Sequence, residues 1–276
     1  MKIAVLSGKG GTGKTAVSVS LAALIPGSQY VDCDVEEPNG YIFLRPRIGK
    51  SISVELLVPT VDVQKCTGCG LCARVCQFNA IAVVRGKVLV FPEICHYCGA
   101  CTIACPEGAI KEVPRQIGVV EISQDGAFIH GRLNTGESTG VPIVDELKRN
   151  LKEDAHPILD CPPGVSCSVV HAIEGCDYCI LVTEPTPFGL YDLEIAVKLM
   201  ERMGIPFGVV TNKASEGVDL IDEFCEKRGI DVLVKLPFSV EVAKAYSQGI
   251  LPIDVDDEWR ARLALLYEKV KRGSNK

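Results

Sequence analysis

Gly8-Lys9-Gly10-Gly11-Thr12-Gly13-Lys14-Thr15 follows a short apolar run, Lys2 to Ser7, and leads into a helix-like stretch from Lys14 to Ile25. The eight residues fit G-x-x-x-x-G-K-[ST], in the strand–loop–helix setting that motif needs. Without a Cβ in the way, successive glycine N–H groups turn inward around phosphate oxygens. The positive end of the following helix strengthens that field. In such a loop the backbone from Gly8 through Gly10, Gly11, Thr12 and Gly13 cradles phosphates. Lys14 then meets the β- and γ-phosphates, and the Thr15 hydroxyl coordinates Mg²⁺. The expected ligand of this segment is a nucleoside triphosphate with Mg²⁺.

Outward from the loop, apolar runs alternate with helical patterns. Tyr30-Val31-Asp32-Cys33-Asp34 reads as a second strand ending in carboxylates. Beyond Val141 the order is helix 144–151, strand 157–161, helix from about Ser166, strand 179–183, helix 190–203, strand 207–211, helix 218–227, strand 232–236 and helix 258–271. Gly204 and Gly229 fall where helix C-caps belong. This alternation predicts an α/β fold with a doubly wound, mostly parallel sheet covered on both faces. The stretch 117–122, the turn Gln124-Asp125-Gly126 and residues 128–130 read as a hairpin. Residues 1–58 and 115–276 are therefore expected to form one discontinuous nucleotide-binding domain.

Between Pro59 and Pro114 the rhythm breaks, and eight of the 14 cysteines lie there. Residues 59–114 are expected to form an inserted domain. Inside it, Cys66, Cys69, Cys72 and Cys76 are spaced C-x2-C-x2-C-x3-C, and Cys95, Cys98, Cys101 and Cys105 repeat that spacing 29 residues later. Three thiolates at this spacing wrap one corner of an iron–sulfur cubane, and the fourth crosses to the other cluster. One 4Fe–4S cluster is thus expected on Cys66, Cys69, Cys72 and Cys105, and a second on Cys95, Cys98, Cys101 and Cys76. Zinc is the alternative occupant, since all-cysteine zinc sites also use C-x2-C. The segment resembles the bacterial two-cluster ferredoxins from Lys65 to Ile110, with Pro106 after the second copy but Gln77 where the first would carry proline. His96, among the ligands, is expected to be a neighbouring or surface residue.

The composition agrees with a globular chain: 276 residues, 47% hydrophobic and 23% charged. A net charge of −6 argues against a general nucleic-acid binder. The start of the chain lacks a signal-peptide pattern, and no apolar run approaches the roughly 18 residues of a membrane span. A cytoplasmic, reducing setting is expected, where abundant cysteine points to metal rather than to disulfides.

Lys9, a second lysine in the Gly-rich loop, gives the deviant form K-G-G-x-G-K-[ST]. With it the chain, over residues 1–39 and from Gly118 onward, resembles the MinD/ParA class of P-loop ATPases, which includes the nitrogenase iron protein and the Mrp-type iron–sulfur carriers. The resemblance implies ATP as the nucleotide and an ATP-dependent homodimer in which Lys9 reaches the partner's nucleotide. It makes Lys9, Lys14 and Asp34 the catalytic set, with Asp34 positioning the attacking water. Asp32 joins Thr15 and Asp160 around Mg²⁺, Asp160 through water. Asp160-Cys161-Pro162-Pro163-Gly164 matches the second switch, whose Gly164 amide senses the γ-phosphate. Asn212 would read adenine, and Pro237-Phe238 would contact the base.

Taken together, these readings describe a P-loop ATPase with an inserted ferredoxin-like domain, in which nucleotide state gates electron transfer to a redox partner. An iron–sulfur carrier and an ATP-dependent positioning protein with structural or sensory clusters remain as alternatives. Cys33 and Cys225 read as buried packing residues, and Cys176-Asp177-Tyr178-Cys179 as packing at a strand start. Cys161 and Cys167 flank the second switch, and Cys167 would lie near a dimer interface by analogy with the nitrogenase iron protein. Arg45 and Arg47, after the first switch, read as a solvated loop, with a face toward phosphate or a partner as the alternative. The stripe Trp259, Leu263, Leu266, Val270 reads as a helix face docked on the sheet, with a membrane-surface anchor as the alternative.

Overall fold

The computed structural model describes residues 1–215 and 217–274. Eleven strands and ten α-helices are described, in this order: β1 (Ile3–Leu6), α1 (Lys14–Leu24), β2 (Ser28–Asp32), α2 (Gly40–Leu44), β3 (Ile48–Val61), α3 (Leu71–Val75), β4 (Ile81–Val84), β5 (Lys87–Val90), α4 (Ala100–Ile103), β6 (Ile110–Ser123), β7 (Phe128–Leu133), α5 (Val141–Arg149), β8 (His156–Asp160), α6 (Cys167–Ile173), β9 (Tyr178–Thr183), α7 (Pro187–Met203), β10 (Phe207–Ala214), α8 (Leu220–Arg228), β11 (Val232–Pro237), α9 (Val240–Ser247) and α10 (Asp257–Gly273).

One nine-stranded sheet has the order β11-β10-β9-β1-β8-β2-β7-β6-β3. From β11 to β7 all pairings are parallel; β6 and β3 close the edge antiparallel. The inner strands are continuous apolar runs because both sheet faces are covered. One face carries a core that includes Leu6, Val31, Leu159, Leu181, Ile143 and Val197. The other carries Ile3, Val5, Val17, Ile158, Ile180 and the α10 stripe Trp259, Leu263, Leu266 and Val270, all buried. The stripe is thus docked on the sheet. Among the described residues no helix is long and apolar enough to cross a membrane.

Several elements differ from the sequence reading. Helix α7 begins at Pro187 because Thr186 caps it, accepting from the Gly189 N–H, and proline suits a first helical turn. Helix α8 begins at Leu220 because Asp219 and Asp222 form a reciprocal capping box. Gly204 and Gly229 are left-handed C-caps, with φ of 66° and 67°. The hairpin is longer than read: its first strand, β6, begins at Ile110 and pairs with the 14-residue β3 from Val61↔Ile110 to Ile48↔Ser123. This ribbon carries the cysteine-rich segment, which has a small core of its own in Cys72, Ile81, Cys101 and Ile110.

Candidate functional site

The carboxyl ends of β1, β2, β8, β10 and β11 converge on a cleft of about 400 Å³. Ligands bind at these ends in open parallel sheets. Gly10, Gly11, Gly13, Lys14 and Thr15 line one wall, Asp34 stands opposite, and Asn212, Pro237 and the largely exposed Phe238 complete the rim. Gly13, the N-cap of α1, has φ 89°, and a Cβ there would overlap the Asn212 amide nitrogen. Asn212 donates from Nδ2 to the Thr12 carbonyl at 2.7 Å, which fixes it against the loop. The Thr12 hydroxyl is buried and has no hydrogen-bond partner among the described residues.

Under the loop lies a buried charge cluster. Lys14 donates to Asp160 Oδ1, and the Tyr30 hydroxyl donates to Asp160 Oδ2 at 2.8 Å. Asp32 pairs in register with Asp160 across β2 and β8. It accepts from the N–H groups of Asp34 (3.2 Å), Asn39 (3.1 Å) and Gly40 (3.0 Å). Burial, with the Asp160 charge next in weight, pushes the Asp32 carboxyl up to about 7, against the opposing pull of the Gly40 amide and Lys14. Burial likewise raises Asp34 to about 6, with Lys14 pulling the other way. Burial works against the Lys14 charge, but the carboxylates outweigh it and its pKa is raised. Three carboxylates around one lysine are an excess of negative charge that a divalent cation would balance. Together with the open, N–H-bearing loop, the residues fit Mg²⁺ and a nucleotide triphosphate.

Not every expected residue faces the cleft. Asp32 and Asp160 are fully buried beneath Lys14. Lys9 lies outside, 3.8 Å from Glu184 Oε2, and Lys213 bonds the other oxygen of the same carboxylate. Gly8 packs against the Asp192 backbone, where a Cβ would collide. The Gly164 amide donates to the Ser7 carbonyl at 2.8 Å. Sequence reasoning missed Glu184, Tyr30 and Lys213. Only Tyr30 carried a signal: it lies two residues before Asp32 and so shares its strand face. Arg45 and Arg47 are exposed and border a separate cavity of about 420 Å³ between α2 and the β6–β7 turn, containing none of the motif residues.

The eight repeat cysteines surround two further cavities. Cys66, Cys69, Cys72 and Cys105 line one; Cys76, Cys95, Cys98 and Cys101 line the other. The fourth cysteine of each copy therefore lies with the first three of the other. The backbone repeats as well. Gly68 and Tyr97, Gly70 and Gly99, and Asn79 and Gly108 are matched positions with positive φ. The N–H groups of Ala80 and Ala109 each donate to a fourth-cysteine sulfur, Cys76 and Cys105, at 3.3 Å. The Tyr97 N–H donates to Cys95 Sγ at 3.4 Å. Four thiols per cavity with N–H groups aimed at sulfur are a donor set that fits a 4Fe–4S cluster. Among the described residues no three such groups converge on a single ion. His96 is exposed and stacks on Phe78, ring centroids 3.8 Å apart.

Of the other cysteines, Cys33, Cys161, Cys179 and Cys225 are buried in the main core, Cys176 packs against it, and Cys167 is exposed at the start of α6. Burial pushes the Cys33 and Cys161 thiols well above their usual range and Cys176 up to about 12. Neutral thiols of this kind act as packing groups.

The chain is 31% identical over 277 residues to an uncharacterized protein of Methanocaldococcus jannaschii, covering 98% of this chain and 96% of that one. It is 25% identical over 270 residues to an iron–sulfur cluster carrier protein of Pyrococcus abyssi, covering 90% and 78%. Over 120 residues it is 31% identical to the electron transport protein HydN of Escherichia coli, covering 43% and 62%. Its fold is similar to that of the Pyrococcus furiosus cell division ATPase MinD, with TM-score 0.57 and 19% identity over 98% of each chain. The family model for the CobQ/CobB/MinD/ParA nucleotide binding domain matches residues 3–253. With that match spanning the P-loop, both aspartate-bearing strand ends and the β10 and β11 rim, the chain is a member of the CobQ/CobB/MinD/ParA family of nucleotide-binding proteins.

Proposed function

We propose that this chain is an ATP-hydrolysing iron–sulfur protein that couples its nucleotide state to electron transfer through two 4Fe–4S clusters. It works as an ATP-dependent homodimer with a separate redox partner. The observation that carries this reading is the division of eight thiols into two four-thiol cavities, borne on a ribbon that extends from the sheet of a P-loop domain. The similarity to HydN, an electron transport protein, supports it.

In this reading residues 1–58 and 115–276 are the ATPase and 59–114 the ferredoxin-like insertion. Lys14 and the loop amides hold the phosphates. Thr15, Asp32 and Asp160 surround Mg²⁺, Asp34 orients water, and Asn212, Pro237 and Phe238 hold the base. Lys9, once released from Glu184, serves the partner's site. Each cluster, when bound, supplies one-electron transfer.

Nucleotide-gated electron flow requires ATP to favour one conformation. If that conformation alters a cluster, a typical coupling of about 5- to 150-fold in affinity corresponds to tens of millivolts or more, since tenfold is about 59 mV for one electron. The test is anaerobic: iron and labile sulfide content, cluster potentials, and acceptor reduction rates with ATP, with ADP and with neither. Zinc without sulfide, or potentials and rates unchanged by nucleotide, would remove the reading.

The relatives named iron–sulfur cluster carrier proteins favour a second reading, in which the chain hands clusters to apo-proteins. Loss of iron to a chelator, with transfer to an apo-acceptor, would select it. The four-thiol cavities with N–H···S bonds weigh toward retained clusters.

A further inference from the structure

The two copies of the cysteine repeat match in backbone and differ in what they touch. Gly68 and Tyr97 hold the same left-handed position, with φ of 70° and 55°. Gly68 faces the Gly86 backbone in the turn between β4 and β5. Tyr97 is a bulky residue in a region that disfavours one, and a local benefit has to hold it there. Its ring packs against the main core of the nucleotide-binding body. Its hydroxyl donates to Glu137 Oε2 at 3.0 Å, and Arg115 of β6 donates to the same oxygen at 2.7 Å. The Glu137 side chain is only 2% exposed. Beside it, the Ser138 hydroxyl donates to the Cys95 carbonyl at 3.2 Å. The loop 134–140 therefore grips Cys95–Cys98, the first ligand loop of the second thiol set.

The flanks of that loop meet the nucleotide site. Leu133 N–H donates to the Val35 carbonyl at 2.8 Å. Val35 is buried, and a Cβ on either Gly131 or Gly140 would overlap its side chain. Val35 directly follows Asp34, so a shift of the Asp34 backbone moves a side chain wedged between two glycines that flank the loop. A close-packed interior passes such a shift on rather than absorbing it.

We propose that residues 134–140 are a joint that transmits the state of the nucleotide site to the Cys95, Cys98, Cys101 and Cys76 set and not to the other. Glu137 is its positioning residue and Tyr97 its anchor. The electron-transfer consequence, that nucleotide tunes the second cluster while the first exchanges electrons independently of it, rests on the function proposed above. The link from Asp34 to the joint is contiguous packing through Val35.

The experiment is amide hydrogen exchange on the anaerobically purified protein, without nucleotide, with Mg-ADP and with a non-hydrolysable ATP analogue. In the wild type, nucleotide should change exchange about tenfold in residues 34–40, 134–140 and 95–98, a size within the usual range of coupling. Residues 66–72 should stay within about twofold. Glu137→Gln keeps the side-chain shape and removes the charge. Tyr97→Gly installs the residue type of the first copy and relieves backbone strain. Iron content is measured on both variants. Each should keep the response at 34–40 and lose the response at 95–98. Equal responses of 66–72 and 95–98 in the wild type would overturn the proposal, as would a full response at 95–98 in both variants. Should the exchange pattern hold while nucleotide leaves acceptor reduction unchanged, the joint stands and the electron-transfer reading falls.

Discussion

Asp32→Asn should stabilise the protein in the absence of nucleotide and Mg²⁺. Asp32 is fully buried beside Asp160, and burial together with that neighbouring charge raises its pKa to about 7. From an ordinary value near 4, an upward shift of that size corresponds to destabilisation on the order of a few kcal/mol above pH 7. The sign follows from proton binding: the folded state holds the proton more tightly than the unfolded chain. The penalty is therefore full above pH 7, shrinks as pH falls through 7, and is gone below about 4. Asparagine removes the charge and keeps an oxygen for the Asn39 and Gly40 N–H groups. It loses the bond from the Asp34 N–H, at a cost of about 1 kcal/mol. The expected net effect at pH 8 is stabilisation, and each kcal/mol gained raises Tm by about 2–4 °C for a domain of this size. The assay is thermal unfolding followed by far-ultraviolet circular dichroism from pH 8.5 to 5.5. Wild type should become more stable as pH falls, and the variant should be flatter and higher at pH 8. With Mg-ATP the order should reverse, because only the wild type offers the buried carboxylate to the cation. A variant less stable than wild type at pH 8, or identical pH slopes, would refute the buried-charge argument.

Lys14→Ala should abolish nucleotide binding, whereas Asp34→Ala should leave binding intact and stop hydrolysis; calorimetry and phosphate release separate the two. Lys9→Ala should weaken ATP-dependent dimerisation more than nucleotide binding to the monomer. Glu184→Gln, which weakens the hold on Lys9, should strengthen dimerisation, read by light scattering with and without ATP. Cys76→Ser should halve the iron content by emptying the site of Cys95, Cys98 and Cys101, leaving the spectroscopic signal of the Cys66 site. If it instead removed the Cys66 site, the crossing of the fourth ligand would be wrong.

The P-loop residues were legible because that motif acts through local backbone geometry, which glycine spacing alone specifies. The grouping of the cysteines around two cavities was legible because the repeat spacing sets the fourth cysteine of each copy apart from its first three and beside those of the other copy. The ribbon was not. Pro59 and Pro114 suggested domain edges, yet both lie inside the β3–β6 pairing, opposite Glu112 and Leu57. Proline is tolerated there because β3 is an edge strand, and β6 meets β7 only from Gly118 onward. Glu184 was missed because its importance comes from two lysines 175 residues or fewer away in sequence that only the fold brings together. The contacts of Glu137 were illegible for the same reason: its partners Tyr97 and Arg115 come from different parts of the ribbon and its insertion.

The position of the insertion also has a mechanical logic. The return strand β6 pairs with β7, and β7 pairs in parallel with β2, the strand that ends in Asp32. The cysteine-bearing unit therefore enters the sheet two strands from the charge cluster under the P-loop. From Ile110 to Arg115, roughly 20 Å at about 3.4 Å per residue, the ribbon is only two strands wide. A two-stranded ribbon is marginally stable alone, so its orientation depends on whatever else holds its far end. Here that hold includes the Glu137 carboxylate, one oxygen of which grips both Arg115 of β6 and Tyr97 of the cysteine-bearing segment that the ribbon carries. Because the carboxylate is buried, these bonds are shielded from competing water and set one orientation. The loop bearing Glu137 begins next to Leu133 and ends at Gly140, the residues that bracket Val35. In the proposed joint a change at Asp34 reaches the Cys95–Cys98 loop through residues 134–140, and releasing that loop should free the ribbon without disturbing the parallel sheet.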